Sequence, residues 1–305
     1  MIKYITKRVL LAIVTLWIVA TLTFLLMFLV PGGPFLSEKA PSEATLKALN
    51  EKYGLDQPKI VQYKNYMVKF LQGDLGLSIK QRGRTVKQII TTGFKVSARL
   101  GGLSILVAIL IGIPLGSVAA LNRGKWLDQI IIVISTFGIA VPSFVVSTVL
   151  MMILSVKLNL LPTYGLTSPL HYIMPVMALS FYPTAYISRL MRSSMLEVLG
   201  QDYMRTAKSK GLSQFVILFK HALRNAILPV VTYLGPLLAY TLTGSFVVEK
   251  IFTIPGLGND FISSIINRDY TMIMGTTIFL AALLITVNVL VDIMYKLIDP
   301  RIKLR

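Results

Sequence analysis

What most limits the fold of this chain is its first apolar run, Val9 to Val30, about 22 residues without a charged side chain. A helix rises about 1.5 Å per residue and a bilayer core is about 30 Å thick, so roughly 20 such residues cross it once. No water inside a bilayer can satisfy backbone N–H and C=O groups, and a helix satisfies them internally. Comparable runs follow at about 100–121, 130–156, 172–187, 226–248 and 272–298. The expected fold class is therefore all-α, a membrane protein of about six transmembrane helices. A composition of 54% hydrophobic and 14% charged residues, far from that of soluble domains, agrees.

Lys3, Lys7 and Arg8 precede the first run, and Pro31-Gly32-Gly33-Pro34 follows it. The run is longer than the ~7–15 residues of a secretory leader's apolar stretch, and a small-residue cleavage site is missing, so it reads as a retained helix. The net charge of +18 then finds its place in short inner loops. Basic residues gather at the N-terminus, in Asn122-Arg123-Gly124-Lys125, at Arg189 and Arg192, and in the C-terminal tail. This distribution puts both termini in the cytoplasm and makes a nucleic-acid partner unnecessary.

The chain divides into an N-terminus and first helix (1–30), an outer helical segment (31–98), a transmembrane domain (99–298) with an inner loop at 188–225, and a tail (299–305). In the outer segment, Ser42 can cap a helix ending near Tyr53, with Gly54 behind it. Ile60, Tyr63, Met67, Phe70 and Leu71 mark the apolar face of a second helix closed by Gly73, and Val86, Ile89 and Ile90 suggest a third. Gly112, Pro114 and Gly116 allow close packing or a kink in the second span. The fifth span carries Thr232, Tyr233, Tyr240, Thr241 and Ser245. In hydrocarbon each needs a partner, either another helix or a water-filled path.

The most informative stretch is polar and basic, Glu197 to Pro229, between the fourth and fifth runs. Asp202 stands where an N-cap would, Tyr203 to Lys210 can form about two turns, and Gly211 suits a left-handed residue behind them. Ser213 can cap a second helix, with Phe215, Leu218, Phe219, Ala222, Leu223 and Ala226 on one face. A two-turn helix is unstable alone and must pack on its own protein or in a partner's groove. A loop that only fixes orientation and a DNA-reading helix pair are the other readings, the latter hampered by membrane at both ends.

Catalytic constellations are missing from the sequence. The two histidines, His171 and His221, fall on opposite sides of the expected membrane, and the chain has no cysteine. No Gly-x-x-x-x-Gly-Lys-Ser/Thr loop is present, so ATP is not expected to bind this chain. The chain is expected to be no enzyme and to hold no metal or cofactor of its own.

YMRTAKSKGLS followed by HALRNAILPV resembles the inner loop of the oligopeptide/dipeptide permease family, membrane subunits of binding-protein-dependent ABC importers. The general loop pattern of the wider class is Glu-Ala-Ala, three residues, Gly, then Ile-x-Leu-Pro. Here Arg205, Thr206 and Ala207 stand at the triplet and Gly211 at its proper distance. Leu223 matches later, but Arg224 replaces the proline, which comes at Pro229, a departure shared by the peptide branch. The strings Tyr53-Gly54-Leu55-Asp56-Gln57-Pro58, Gly73-Asp74-Leu75-Gly76 and Asp299-Pro300-Arg301 are also similar to the family, as are Phe252, Pro255, Gly256, Gly258, Arg268 and Asp269.

The resemblance implies a type I ABC importer permease fold in a bacterial inner membrane and a peptide substrate. The implied partners are a second related permease, two cytoplasmic ATPases holding ATP and Mg, and an extracytoplasmic substrate-binding protein. It implies ATPase coupling through Asp202, Tyr203, Arg205, Thr206, Ala207, Lys210, Gly211, Leu212 and Ser213. The translocation path would include Thr232, Tyr233, Tyr240, Thr241 and Ser245, and docking of the binding protein Phe252, Pro255 and Asp269. Dipeptides, nickel or glutathione are alternative cargoes. From a different class, a self-contained channel or secondary carrier would need a midplane ion site or charged broken helices.

Overall fold

The computed structural model describes residues 2–29, 33–35 and 42–298. Pro31 and Gly32 of the expected turn, the Asp299-Pro300-Arg301 ending and the 299–305 tail lie outside those residues. Among the described residues the chain is helical, apart from one isolated antiparallel bridge between Leu77 and Thr85.

Helix α1 (Ile2–Leu29) is followed by α2 (Glu43–Tyr53) and α3 (Lys59–Leu71). Ser42 caps α2 by accepting from the Thr45 N–H, and Gly54 ends it in the left-handed conformation at φ 65°. On α3, Tyr63, Met67 and Phe70 pack against α1 residues, whereas Ile60 and Leu71, expected on the same face, are exposed. They flank the apolar stripe and meet solvent where α3 ends.

Helix α4 (Val86–Leu121) runs unbroken for 36 residues. The expected third outer helix at Val86–Ile90 is its first turn and a half. Thr85 and Gln88 form a reciprocal capping box that starts the helix there, and no proline intervenes before Pro114. At ~1.5 Å per residue α4 spans about 54 Å, nearly twice a bilayer core.

The expected single span 130–156 is broken. Helix α5 (Trp126–Ala140) meets α6 (Ser143–Leu150), extended by a π-helical stretch Met151–Lys157, at a bend of 103°. Pro142 lacks an N–H and drives Val141 into extended backbone, φ −84° and ψ 122°. A short turn at Pro169–Tyr172 leads into α7 (Ile173–Leu199).

The inner hairpin comprises α8 (Asp202–Ser209) and a composite helix. The latter consists of α9 (Gln214–Val216), a π-helical turn Ile217–Ala222 and α10 (Leu223–Ala226). Helices α11 (Leu228–Leu242), α12 (Phe246–Ile251), α13 (Leu257–Ile266) and α14 (Tyr270–Ile298) complete the chain.

Among the described residues four helices are long and apolar enough to cross a membrane, five if the bent pair counts as one span. The remaining expected span, 172–187, lies in α7, whose 27 residues suffice in length but include Pro, Ser, Tyr and Arg. That composition suits its position. Helix α7 packs along α4 over a long seam and against α5, α6 and α11, so protein surrounds much of it. The seam is close because Gly112 and Gly116 of α4 lie against the α7 backbone. A Cβ at Gly116 would stand 2.7 Å from Met191 Cβ and closer still to Ser188 O. Helix α1 sits apart from this core, against α14 and the α3 face.

Candidate functional site

The inner hairpin is anchored by half of itself. On α8, Met204 and Ala207, three apart, are 1% and 7% exposed and join a cluster with Met191, Met195, Ile217, Ala222 and Ala226. The opposite face presents Arg205, Thr206, Ser209 and Lys210 to solvent. Ala207, expected to touch an ATPase, is therefore turned into its own chain. Tyr203 accepts a hydrogen bond from Asn225 Nδ2 at 2.9 Å, which pins α8 to α10.

Asp202 is the first residue of α8 and not its cap; its carboxylate lies 3.7 Å from Arg205, both side chains fully in solvent. As a first-turn acid it still favours the helix dipole. Gly211 ends the hairpin's first arm at φ +72°, with nothing within 4 Å of where a Cβ would sit. Backbone conformation alone thus selects glycine there. Leu212 and Ser213 follow in the exposed turn, and Ser213 Oγ accepts from the Val216 N–H at 3.4 Å.

The expected apolar face of the second arm is buried only in part. Ile217, Ala222 and Ala226 are buried, whereas Phe215 and Phe219 are exposed with ring centroids 4.5 Å apart. Ala222 and Ala226 keep to the expected face on either side of the end of the π turn Ile217–Ala222, so the departure is confined to the two phenylalanines. His221 lies in that turn, while His171 packs on Ser168, whose N–H donates to Nδ1 at 3.2 Å.

Just above the hairpin, α7 is tied to α5. Arg192 Nε and Nη2 donate to the two oxygens of Asp128 at 2.6 and 2.8 Å, and the Gly124 N–H adds a third bond at 2.9 Å. Asp128 is 2% exposed. A bidentate, buried pair is the strong form of an ion pair.

Along α11 the polar residues divide. Thr232 and Tyr240 lie on an exposed face, with Thr232 Oγ1 donating to Leu228 O. Tyr233 packs against Tyr186 of α7 at 4.3 Å between centroids, and Tyr182 continues the row at 6.1 Å. Thr241 donates to Leu237 O and its carbonyl lies against Gly101 of α4, so it serves helix packing. Ser245 caps α12, accepting from the Val248 N–H.

At the other end of α4, two buried carboxylates hold the loops. Glu249, 0% exposed, accepts from Ser97 Oγ at 2.7 Å and from the Asn259 N–H at 3.1 Å. Ser97 in turn accepts from the Leu257 N–H at 2.9 Å. Asp269 accepts from Ser78 Oγ, the N–H groups of Ile79, Lys80 and Met272, and Thr271 Oγ1. Its five donors clamp the 74–85 hairpin onto the start of α14. Phe252 and Asp269, expected to face a docking partner, are instead 2% exposed, and only Pro255 lies at the surface.

The Asp128–Arg192 pair, Glu249 and Ser97 went unnoticed in the sequence. The available signal was scarcity, since 13 acidic residues in so apolar a chain each need a reason to be there. Removing the Tyr203 hydroxyl (Tyr203→Phe) should cost about 1 kcal/mol of hairpin anchoring. Faster amide exchange across α8, with α4 unchanged, is the expected reading.

The sequence pattern described as "Binding-protein-dependent transport system inner membrane component" matches residues 112–304, and its N-terminal companion matches residues 1–90. The dipeptide transport system permease protein DppB of Bacillus subtilis (strain 168) is 48% identical over 304 residues, 100% of this chain and 99% of that protein. The oligopeptide transport system permease protein OppB of Haemophilus influenzae is 42% identical over 305 residues, 99% of this chain and 100% of that protein. Among solved structures, an amino acid ABC transporter crystallised with histidines aligns at a TM-score of 0.53. It shares 16% identity and covers 71% of this chain and 95% of that one, a likeness of fold.

Proposed function

Because the chain belongs to the family of binding-protein-dependent transport system inner membrane components, we propose that it is one of two related permeases in an ATP-driven importer of peptides. The observation that carries the coupling role is the two-faced helix α8, glued inward by Met204 and Ala207 and outwardly offering Arg205, Thr206, Ser209 and Lys210. A helix held on one side and free on the other transmits a push to whatever holds it. Here that is α7 and the α9–α10 arm, which continues into α11.

Two ATPases in the cytoplasm bind and hydrolyse ATP with Mg and receive the exposed face of α8. Their closure shifts α8 as a rigid body, and α7 and α11 follow, opening the path toward a binding protein on the outer side. The ATPases need only favour one of two packed arrangements, by about 5.5 kcal/mol for a near-complete swing. The open face of α11 with Thr232 and Tyr240, beside the Tyr182–Tyr186–Tyr233 row, is where the second permease completes the path. Both termini are assigned to the cytoplasm of a bacterial cell, an orientation that the basic loops support.

Two experiments test this reading. The chain, purified from its native membrane, is expected to bring ATPase subunits with it; purified chain that transports peptide alone would refute the scheme. Gly211→Asp places a side chain at φ +72°, a strain of about 1 kcal/mol. It is expected to leave membrane insertion intact and to abolish peptide uptake, and uptake at the wild-type rate would remove the joint role of Gly211.

A further inference from the structure

A cavity of about 640 Å³ lies between α1, α3, the 74–85 hairpin and the start of α14, away from the inner hairpin and the α11 face. Its wall includes Phe24 and Phe28 at the end of the first span and Tyr270 at the start of the last. That position is the boundary between hydrocarbon and water, the depth at which lipid headgroups sit. Its rim carries charges of both signs, Glu51 and Asp74 against Lys52 and Lys69. Among the described residues Glu51, Lys52 and Lys69 have no ion-pair partner, and Asp74 accepts only from the Gly76 N–H at 2.8 Å. Tyr66 lines the same cavity, and its buried hydroxyl has no hydrogen-bond partner. A buried hydroxyl left unpaired is costly, so turning it into the cavity toward an acceptor there would recover that cost.

We propose that this cavity holds the phosphoethanolamine headgroup of a membrane phospholipid. The phosphate meets Lys69 and Lys52 and, once the Tyr66 ring turns its hydroxyl into the cavity, accepts from Tyr66, and the ammonium meets Glu51 and Asp74. Paired acids and bases on one rim suit a zwitterion better than an anion, which the two carboxylates would repel. Leu25, Leu26 and Leu29 are exposed on the same last turns of α1 and give acyl chains an apolar flank. Burial raises the Tyr66 phenol above its ordinary range, so it stays neutral and able to donate.

The test is native mass spectrometry of the full-length chain in its purified complex, after incubation with vesicles of phosphatidylethanolamine or of phosphatidylglycerol. Retention of phosphatidylethanolamine at least fivefold over phosphatidylglycerol is expected. Tyr66→Phe should lower it roughly fivefold, the equilibrium equivalent of one hydrogen bond, and Lys69→Gln by a similar factor. Lys125→Gln, at the far end of α4, should leave it unchanged. Equal retention of the two lipids, or undiminished retention in Tyr66→Phe, overturns the proposal. So does displacement of the lipid by short peptides, or equally tight binding of soluble glycerophosphoethanolamine, which would remove the membrane from the explanation.

Discussion

Asp128→Ala is expected to destabilise the folded chain by on the order of 3 kcal/mol, at the lower end for breaking a buried ion pair, because the Arg192 side chain remains 24% exposed. The loss comes from what stays behind. Arg192 would keep its charge inside the α5–α7 seam with neither of its two carboxylate bonds, and the Gly124 turn would lose its acceptor. The double variant Asp128→Ala/Arg192→Met should recover part of that stability, since no unpaired charge then remains. Thermal unfolding of the purified protein in detergent measures both. A double variant as unstable as the sum of the singles would mean that the two side chains are not coupled. Peptide uptake should fall with the single variant as well, because α7 leads directly into α8 and its register against α5 would be lost.

Gly256→Ala is expected to have an effect as large at the other end of the molecule. The added Cβ would lie 2.7 Å from both Glu249 Cδ and Ser97 Oγ, and nearer still to the carboxylate oxygen. Real Cβ atoms do not approach so closely, so the loop must move away from the carboxylate or the carboxylate must leave its donors. Either way a fully buried carboxyl group loses hydrogen bonds, a cost of about 3 kcal/mol, at the upper end for an unsatisfied buried group. Combining it with Glu249→Ala opens the space and removes the carboxyl group, and the pair should be less damaging than the two changes summed. Unfolding midpoints of the three variants check this. A fully additive result would show that Gly256 is needed for some other reason.

Much of the architecture was legible in the sequence because apolar runs, caps and prolines act locally. Ser42, Gly54, Gly211 and Ser213 do at their positions what their chemistry indicates. What was not legible depends on partners distant along the chain. Pro142 was visible, but a proline can kink a span or break it, and only packing decides; here it breaks it by 103°. Phe215 and Phe219 fit a 3.6-residue apolar face and are nonetheless exposed, one ahead of the π turn at Ile217–Ala222 and one within it, because a period does not say what covers a face. Asp269 looked like a surface residue of an outer loop, yet its donors come from the 74–85 hairpin nearly two hundred positions earlier. Contacts of that kind close only in three dimensions. For Ala207 the local signal is incomplete: its spacing from Met204 marks an apolar face on α8, but not whether α7 or a partner lies beneath it.

The unbroken length of α4 has a consequence for traffic between the two faces of the membrane. One end of this strut bears Ser97, locked to Glu249, and the other bears Gly116, locked to α7 just above the hairpin. Between them the helix runs on through Pro114 without a break. A displacement at the Glu249 end is therefore carried along the same rod to the end beside the hairpin, and each end feels the other's movement.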